Sequence, residues 1–141
     1  KSPDSYMKPA SMAKIMTVYI AFQRIADGSL SMDDTFLISE KAWKKGGSKT
    51  FVEVGKQVSV RDLLYGVIVQ SGNDAAIAIA EGISGTEDGF AEEMNYVARA
   101  LGMTNSVFKN STGWPDPDQH TTARDLNILA TALIRDFPPD E

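Results

Sequence analysis

The sequence predicts an α+β chain that is mainly helical, with two or three short strands. Three features predict it. Several stretches carry apolar residues at helical spacing, most of them are bounded by Ser or Thr caps and by glycine or proline stops, and only brief runs between them have strand character.

Pro9 and Ala10 introduce the first helix, in which Ile15, Met16, Val18, Tyr19, Ile20, Ala21, Phe22, Ile25 and Ala26 leave almost no polar face. A helix that is apolar all round belongs in the middle of a core. Asp27 and Gly28 end it, because glycine accepts the left-handed conformation past a helix C-terminus. Two strand candidates follow, Thr35 to Ile38 and Phe51 to Val54. Between them Lys41, Lys44, Lys45 and Lys49 gather around Trp43 and Gly46-Gly47, which reads as a solvated loop.

Ser59 and Asp62 form a capping arrangement ahead of a helix through Leu63, Leu64, Val67, Ile68 and Val69. Gln70-Ser71-Gly72-Asn73 interrupts it, and another helix runs on through Ala75, Ile77, Ile79 and Ile83. Thr86 caps an amphipathic helix carrying Phe90, Met94, Val97, Ala98 and Leu101, with Gly102 as its stop. Residues 110–120 are rich in Pro, Gly, Asp, Ser and Thr and read as a loop. Thr122 and Asp125 repeat the capping spacing before a last helix through Leu126, Ile128, Leu129, Ala132, Leu133 and Ile134, which Pro138-Pro139 stops. No linker intervenes, so residues 1–141 read as one structural unit.

Composition narrows the chemistry. A net charge of −5 argues against nucleic acid, since no basic face replaces phosphate counterions. With no cysteine and a single histidine, His120, neither a thiolate nor a multi-histidine metal site can be built, and no cofactor is expected. No apolar run reaches the length of a membrane span, and Lys1-Ser2-Pro3-Asp4 has no signal-peptide core.

A serine hydroxyl is a poor nucleophile until a base stands within hydrogen-bonding reach. Ser11-Met12-Ala13-Lys14 sets a serine in the first turn of the most apolar helix and a lysine on the same face one turn later. Lys14 is the lone charge between Met12 and Phe22, where burial would favour its neutral, basic form. The positive end of the helix favours a developing oxyanion. Ser5 to Lys8 and Ser106 to Lys109 share the S-x-x-K spacing but lack the setting: Pro9 blocks the first from a regular helix, and the second reads as a strand with the two side chains on opposite faces. Ser71-Gly72-Asn73 falls at a glycine-containing break between apolar helices. There a serine can relay a proton and an asparagine amide can hold a carbonyl, although Asn73 or Asp74 as a plain N-cap fits the same residues.

The segment from Pro9 through Thr17 closely resembles the active-site segment of the low-molecular-mass D-Ala-D-Ala carboxypeptidases, which are serine penicillin-binding proteins of the β-lactamase/transpeptidase-like superfamily. Gly66 to Ala75 resembles that family's second-motif segment, and Ser71 follows Ser11 by sixty positions, a family-like spacing. The stretch from Leu101-Gly102-Met103-Thr104 through Phe108 and Gly113-Trp114 to Thr122-Ala123-Arg124-Asp125 is similar as well, so nearly all 141 residues are covered. Carried over position by position, the resemblance implies Ser11 as the acylated serine, Lys14 as its proton acceptor, Ser71 as the proton-relaying serine and Asn73 as the substrate-binding amide. The implied reaction removes the terminal D-alanine from a peptidoglycan stem peptide, with β-lactams as covalent inhibitors of Ser11. Extracytoplasmic or periplasmic work is implied too, and any membrane anchor would lie outside this chain.

One departure stands out. The family's third motif, K-T-G or K-S-G on a sheet-edge strand, has no match between Asn73 and Glu141, and Lys49-Thr50-Phe51 comes too early and lacks the glycine. The chain reads as the helical lobe of a larger catalytic domain, most of whose central antiparallel sheet lies elsewhere, and weak or no catalysis is expected of it alone. A class A β-lactamase is the nearest rival, but no E-x-x-L-N occurs; residues 110–120 hold Asp116 and Asp118 and no glutamate. A noncatalytic binding module of the same fold is a second rival, and a purely structural helical domain a third, which leaves the paired motifs unexplained. Asn110-Ser111-Thr112 fits a glycosylation sequon and reads as a turn, Trp114 fits packing or the cleft border, and His120 reads as a solvated or capping residue.

Overall fold

The computed structural model describes residues 6–7, 10–44, 55–70, 72–113 and 116–137, except the side chains of residues 6, 7, 10, 11 and 43. Along the chain run β1 (Tyr6–Met7), α1 (Ala10–Ala26), β2 (Thr35–Leu37), α2 (Glu40–Lys44), β3 (Gln57–Ser59), α3 (Val60–Gln70), α4 (Asn73–Ser84), α5 (Glu87–Leu101), β4 (Thr121–Thr122) and α6 (Ala123–Asp136).

The apolar α1 is central, as its composition demands. On one side Met12, Ala13, Met16, Tyr19 and Ile20 pack with Phe90 and Met94 of α5, with Phe108, and with Leu129 and Ala132 of α6. On the other, Val18 and Ala21 pack with Leu63, Leu64 and Val67 of α3 and with residues 75–79 of α4. Burying one large apolar side chain is worth about 1.5–3 kcal/mol, against about 1 kcal/mol for a helix cap. Packing therefore holds these helices, and the caps fix where they start.

The caps fall where the sequence puts them. Ser59 Oγ accepts from the Asp62 N–H at 3.1 Å, Thr86 Oγ1 from Gly89 at 3.0 Å, and Thr122 Oγ1 from Asp125 at 3.1 Å. Gly28 and Gly102 stop α1 and α5 with φ of 86° and 92°. Other expectations need correction. The basic stretch is not all loop: Ser39 Oγ accepts from the Ala42 N–H at 3.1 Å and so caps α2, which carries Lys41 and Lys44. The partner of β2 is β3, antiparallel with Phe36 opposite Val58, whereas the strand candidate at 51–54 lies outside the described residues. A second antiparallel pair, β1 with β4, sets Tyr6 opposite Thr122 and Met7 opposite Thr121.

β2 lies so close to α4 that a Cβ at Gly82 would overlap the Phe36 ring. Alanine in mid-helix normally stabilises by about 1 kcal/mol relative to glycine, but overpacking costs about 1–3 kcal/mol. Gly82→Ala is expected to lower the midpoint of urea unfolding, the reverse of the propensity effect.

Candidate active site

Ser11 is the second residue of α1, with its backbone in the first helical turn, and Lys14 follows one turn later. The β1–β4 pair ties the chain just ahead of this turn to the start of α6. Buried Met12, Ala13, Met16 and Thr17 surround Lys14 along the helix, and Lys14 itself is half-buried. Desolvation holds its amine below the ordinary lysine value. Loss of water around an ammonium favours the neutral amine, the form a general base requires.

The second motif lies at the junction of α3 and α4, and α1 packs against both helices. Ser71 lies outside the described residues, as does the Ser11 side chain. Gly72 occupies the cap position with extended backbone, φ −68° and ψ 123°, so neither Asn73 nor Asp74 is the N-cap. Glycine can do this without a side chain because its backbone is bonded both ways: its N–H donates to Gly66 O at 3.1 Å, and its carbonyl accepts from Ala76 N–H at 3.2 Å. That clasp closes α3 and opens α4 within a few residues. Asn73, in the first turn of α4, is only 5% exposed. A polar side chain buried there is held in place rather than left to solvent.

The decoy at 106–109 is engaged elsewhere. Ser106 Oγ donates to Asp125 Oδ2 at 2.7 Å and lies 2.6 Å from Thr121 Oγ1, while Lys109 is exposed. The expected strand there is a single bridge, Val107 with His120. Ser5 and Lys8 lie outside the described residues, as does Trp114. His120 is half-buried, and its Nδ1 lies 3.1 Å from Asn105 O, which gives it a local structural tie.

Sequence reasoning missed a buried polar network beside α1. Ser111 is fully buried and Thr112 nearly so. The Thr17 hydroxyl lies 2.9 Å from Ala13 O and 3.0 Å from Ser111 O, its one proton shared between them. Ser111 in turn donates to Glu87 Oε2 through N–H at 3.0 Å and through Oγ at 2.9 Å. Lys41 Nζ stands 3.0 Å from Glu87 Oε1. Burial alone would raise the Glu87 carboxyl, but the Ser111 donors and the Lys41 ammonium outweigh it and hold the group below its ordinary value. Glu87 opens α5, where an acid is expected to face water and answer the helix dipole. Nothing in the local sequence signals that it turns inward. Amide side chains secure the rest of this region: Asn95 pairs with both the N–H and the carbonyl of Phe108, and Gln119 Oε1 accepts from the N–H groups of Lys109 and Asn110.

The serine position and a partly desolvated lysine thus stand one turn apart at the start of a buried central helix. The family model for D-alanyl-D-alanine carboxypeptidase matches residues 1–141, and the chain belongs to that family. It is 39% identical over 135 residues to the D-alanyl-D-alanine carboxypeptidase DacF of Bacillus subtilis, covering 96% of this chain and 35% of that protein. Among solved structures, the carboxypeptidase DacD from Francisella tularensis superposes with a TM-score of 0.95 at 48% identity, over 98% of this chain and 33% of that one. Penicillin binding protein 5 from Haemophilus influenzae does so with a TM-score of 0.93 at 41% identity, over 98% and 41%. The chain thus has the penicillin-binding protein fold, represented mainly by its helical lobe, and spans about a third of the length of the curated relatives it matches.

Because Glu87 has a folded-state pKa below its unfolded one, its stabilising contribution is complete above the unfolded value and is lost as pH falls through the folded one. Melting temperatures measured from about pH 6 down to about pH 3 should fall less steeply for Glu87→Gln than for the wild type.

Proposed function

We propose that the protein containing this chain is a serine-type D-Ala-D-Ala carboxypeptidase that trims the terminal D-alanine from peptidoglycan stem peptides. One observation carries the reading: in a chain of this family, Lys14 is half-buried one turn from Ser11 with its amine depressed by desolvation.

In this mechanism the neutral Lys14 amine takes the Ser11 proton as Oγ attacks the carbonyl of the penultimate D-Ala. The N-terminal end of α1 favours the oxyanion that forms. Ser71 relays a proton to the departing D-alanine nitrogen, the C–N bond breaks, and Ser11 is left as an ester. Asn73 holds the substrate carbonyl. Water then hydrolyses the ester and regenerates the serine. No cofactor enters any of these steps. A β-lactam amide attacked in the same way would leave Ser11 acylated, in keeping with the likeness to a penicillin binding protein. Peptidoglycan as substrate implies work outside the cytoplasmic membrane. The second oxyanion donor and the cation for the substrate carboxylate are assigned to parts of the protein other than these residues, so the 141-residue chain alone is expected to turn over weakly or not at all.

Full-length protein should be labelled by fluorescent penicillin, with the label mapping to the peptide containing Ser11, and Ser11→Ala should abolish it. Lys14→Met should slow acylation by about 10²- to 10⁴-fold, the usual cost of losing a general base. In the wild type the acylation rate should rise with pH through an apparent pKa below that of an ordinary lysine. A wild-type protein that takes no label favours the noncatalytic binding module instead.

A further inference from the structure

We propose that Glu87 is a positioning residue for this reaction: it fastens α2 and the turn at residues 111–113 to the stretch of α1 one helical turn beyond Lys14. The inference rests on the carboxypeptidase reading above.

A chain of contacts carries it. The carboxylate of Glu87 is 6% exposed and uses both oxygens, one for Lys41 of α2 and one for two donors of Ser111. The carbonyl of that same Ser111 receives the hydroxyl of Thr17, which has no exposed surface. Thr17 follows Lys14 by three positions on α1, so a displacement of the turn acts on the helix face next to the base. The turn has little slack of its own. Gly113 has φ of 79°, and its N–H donates to Asn110 Oδ1 at 2.8 Å.

A charge is suited to this task. A buried carboxylate accepts several donors at once with charge-assisted bonds, roughly twice as strong as neutral ones. It also binds three segments that are remote in sequence and have no backbone hydrogen bond to one another among those described. Groups that react must be held closely in place, and a misplacement of about 1 Å can cost about 100-fold in rate. Lys41 is half exposed and forms the outer end of the chain; Thr17 forms the inner end.

The test uses the full-length protein and fluorescent penicillin, comparing rate constants for acylation with the apparent affinity of the preceding complex. Glu87→Gln keeps an acceptor for Ser111 and loses the attraction to Lys41. Thr17→Val removes the inner hydroxyl without changing shape, and Thr17→Ser restores it. Thr86→Ala serves as a control that weakens the neighbouring cap of α5 and leaves the network intact. Glu87→Gln and Thr17→Val are expected to lower the acylation rate constant by about tenfold or more with little change in affinity. Thr17→Ser should recover most of the loss, and Thr86→Ala should lower the melting temperature alone. Rates for Glu87→Gln and Thr17→Val that match the wild type, or that fall only as far as Thr86→Ala at equal loss of stability, overturn the positioning role and leave the carboxypeptidase reading in place. Absence of label on the wild-type protein removes both.

Discussion

Everything in this fold depends on the burial of one helix. α1 is enclosed on one side by α5 and α6 and on the other by α3 and α4, and it contributes residues to both apolar clusters. That enclosure does two things through one physical cause. Removal of water from Met16, Tyr19 and Ile20 supplies much of the stability, and removal of water around Lys14 pushes its amine toward the neutral form. Stability and chemistry are coupled here, because the packing that holds the helix also sets the basicity on its surface.

The helices were legible because their determinants are local. The all-round apolar run of α1, the apolar spacing of α3, α4, α5 and α6 and the hydroxyl caps at Ser59, Thr86 and Thr122 all act within a few residues, and each lies where expected. Of the short strands, β2 lies inside the Thr35 to Ile38 candidate, but the others were not legible. β1 and β4 have two residues each and β3 has three, too few to display an alternation, and their pairing is decided by what packs over them. The α3–α4 break lies where the sequence puts it, but of the cap alternatives neither Asn73 nor Asp74 holds, because backbone bonds of Gly72 perform that role.

The candidate site divides in the same way. Helical spacing puts Ser11 and Lys14 on one face, and the apolar run around them both singles this pair out from the two others of the same spacing and accounts for the half-buried setting of Lys14. Glu87 was invisible because its partners lie 24 residues away at Ser111 and on α2 at Lys41, and a first-turn acid ordinarily points outward. The basic stretch read as solvated thereby acquires a structural member in Lys41. Short-range pattern locates the serine–lysine pair, whereas the polar scaffolding that holds loops beside it is a property of the assembled chain.

The ribbon of β1 with β4 has a consequence for how the molecule comes into being. Met7 meets Thr121 across more than a hundred intervening residues, so this contact has a high entropic cost until the rest of the polypeptide has collapsed. While the ribosome is still making the chain, the serine's helix can wind by itself, but the segment entering it has no mate until residues 121 and 122 emerge. The order of synthesis therefore delays completion of the Ser11 end of the molecule until the start of the last helix is at hand.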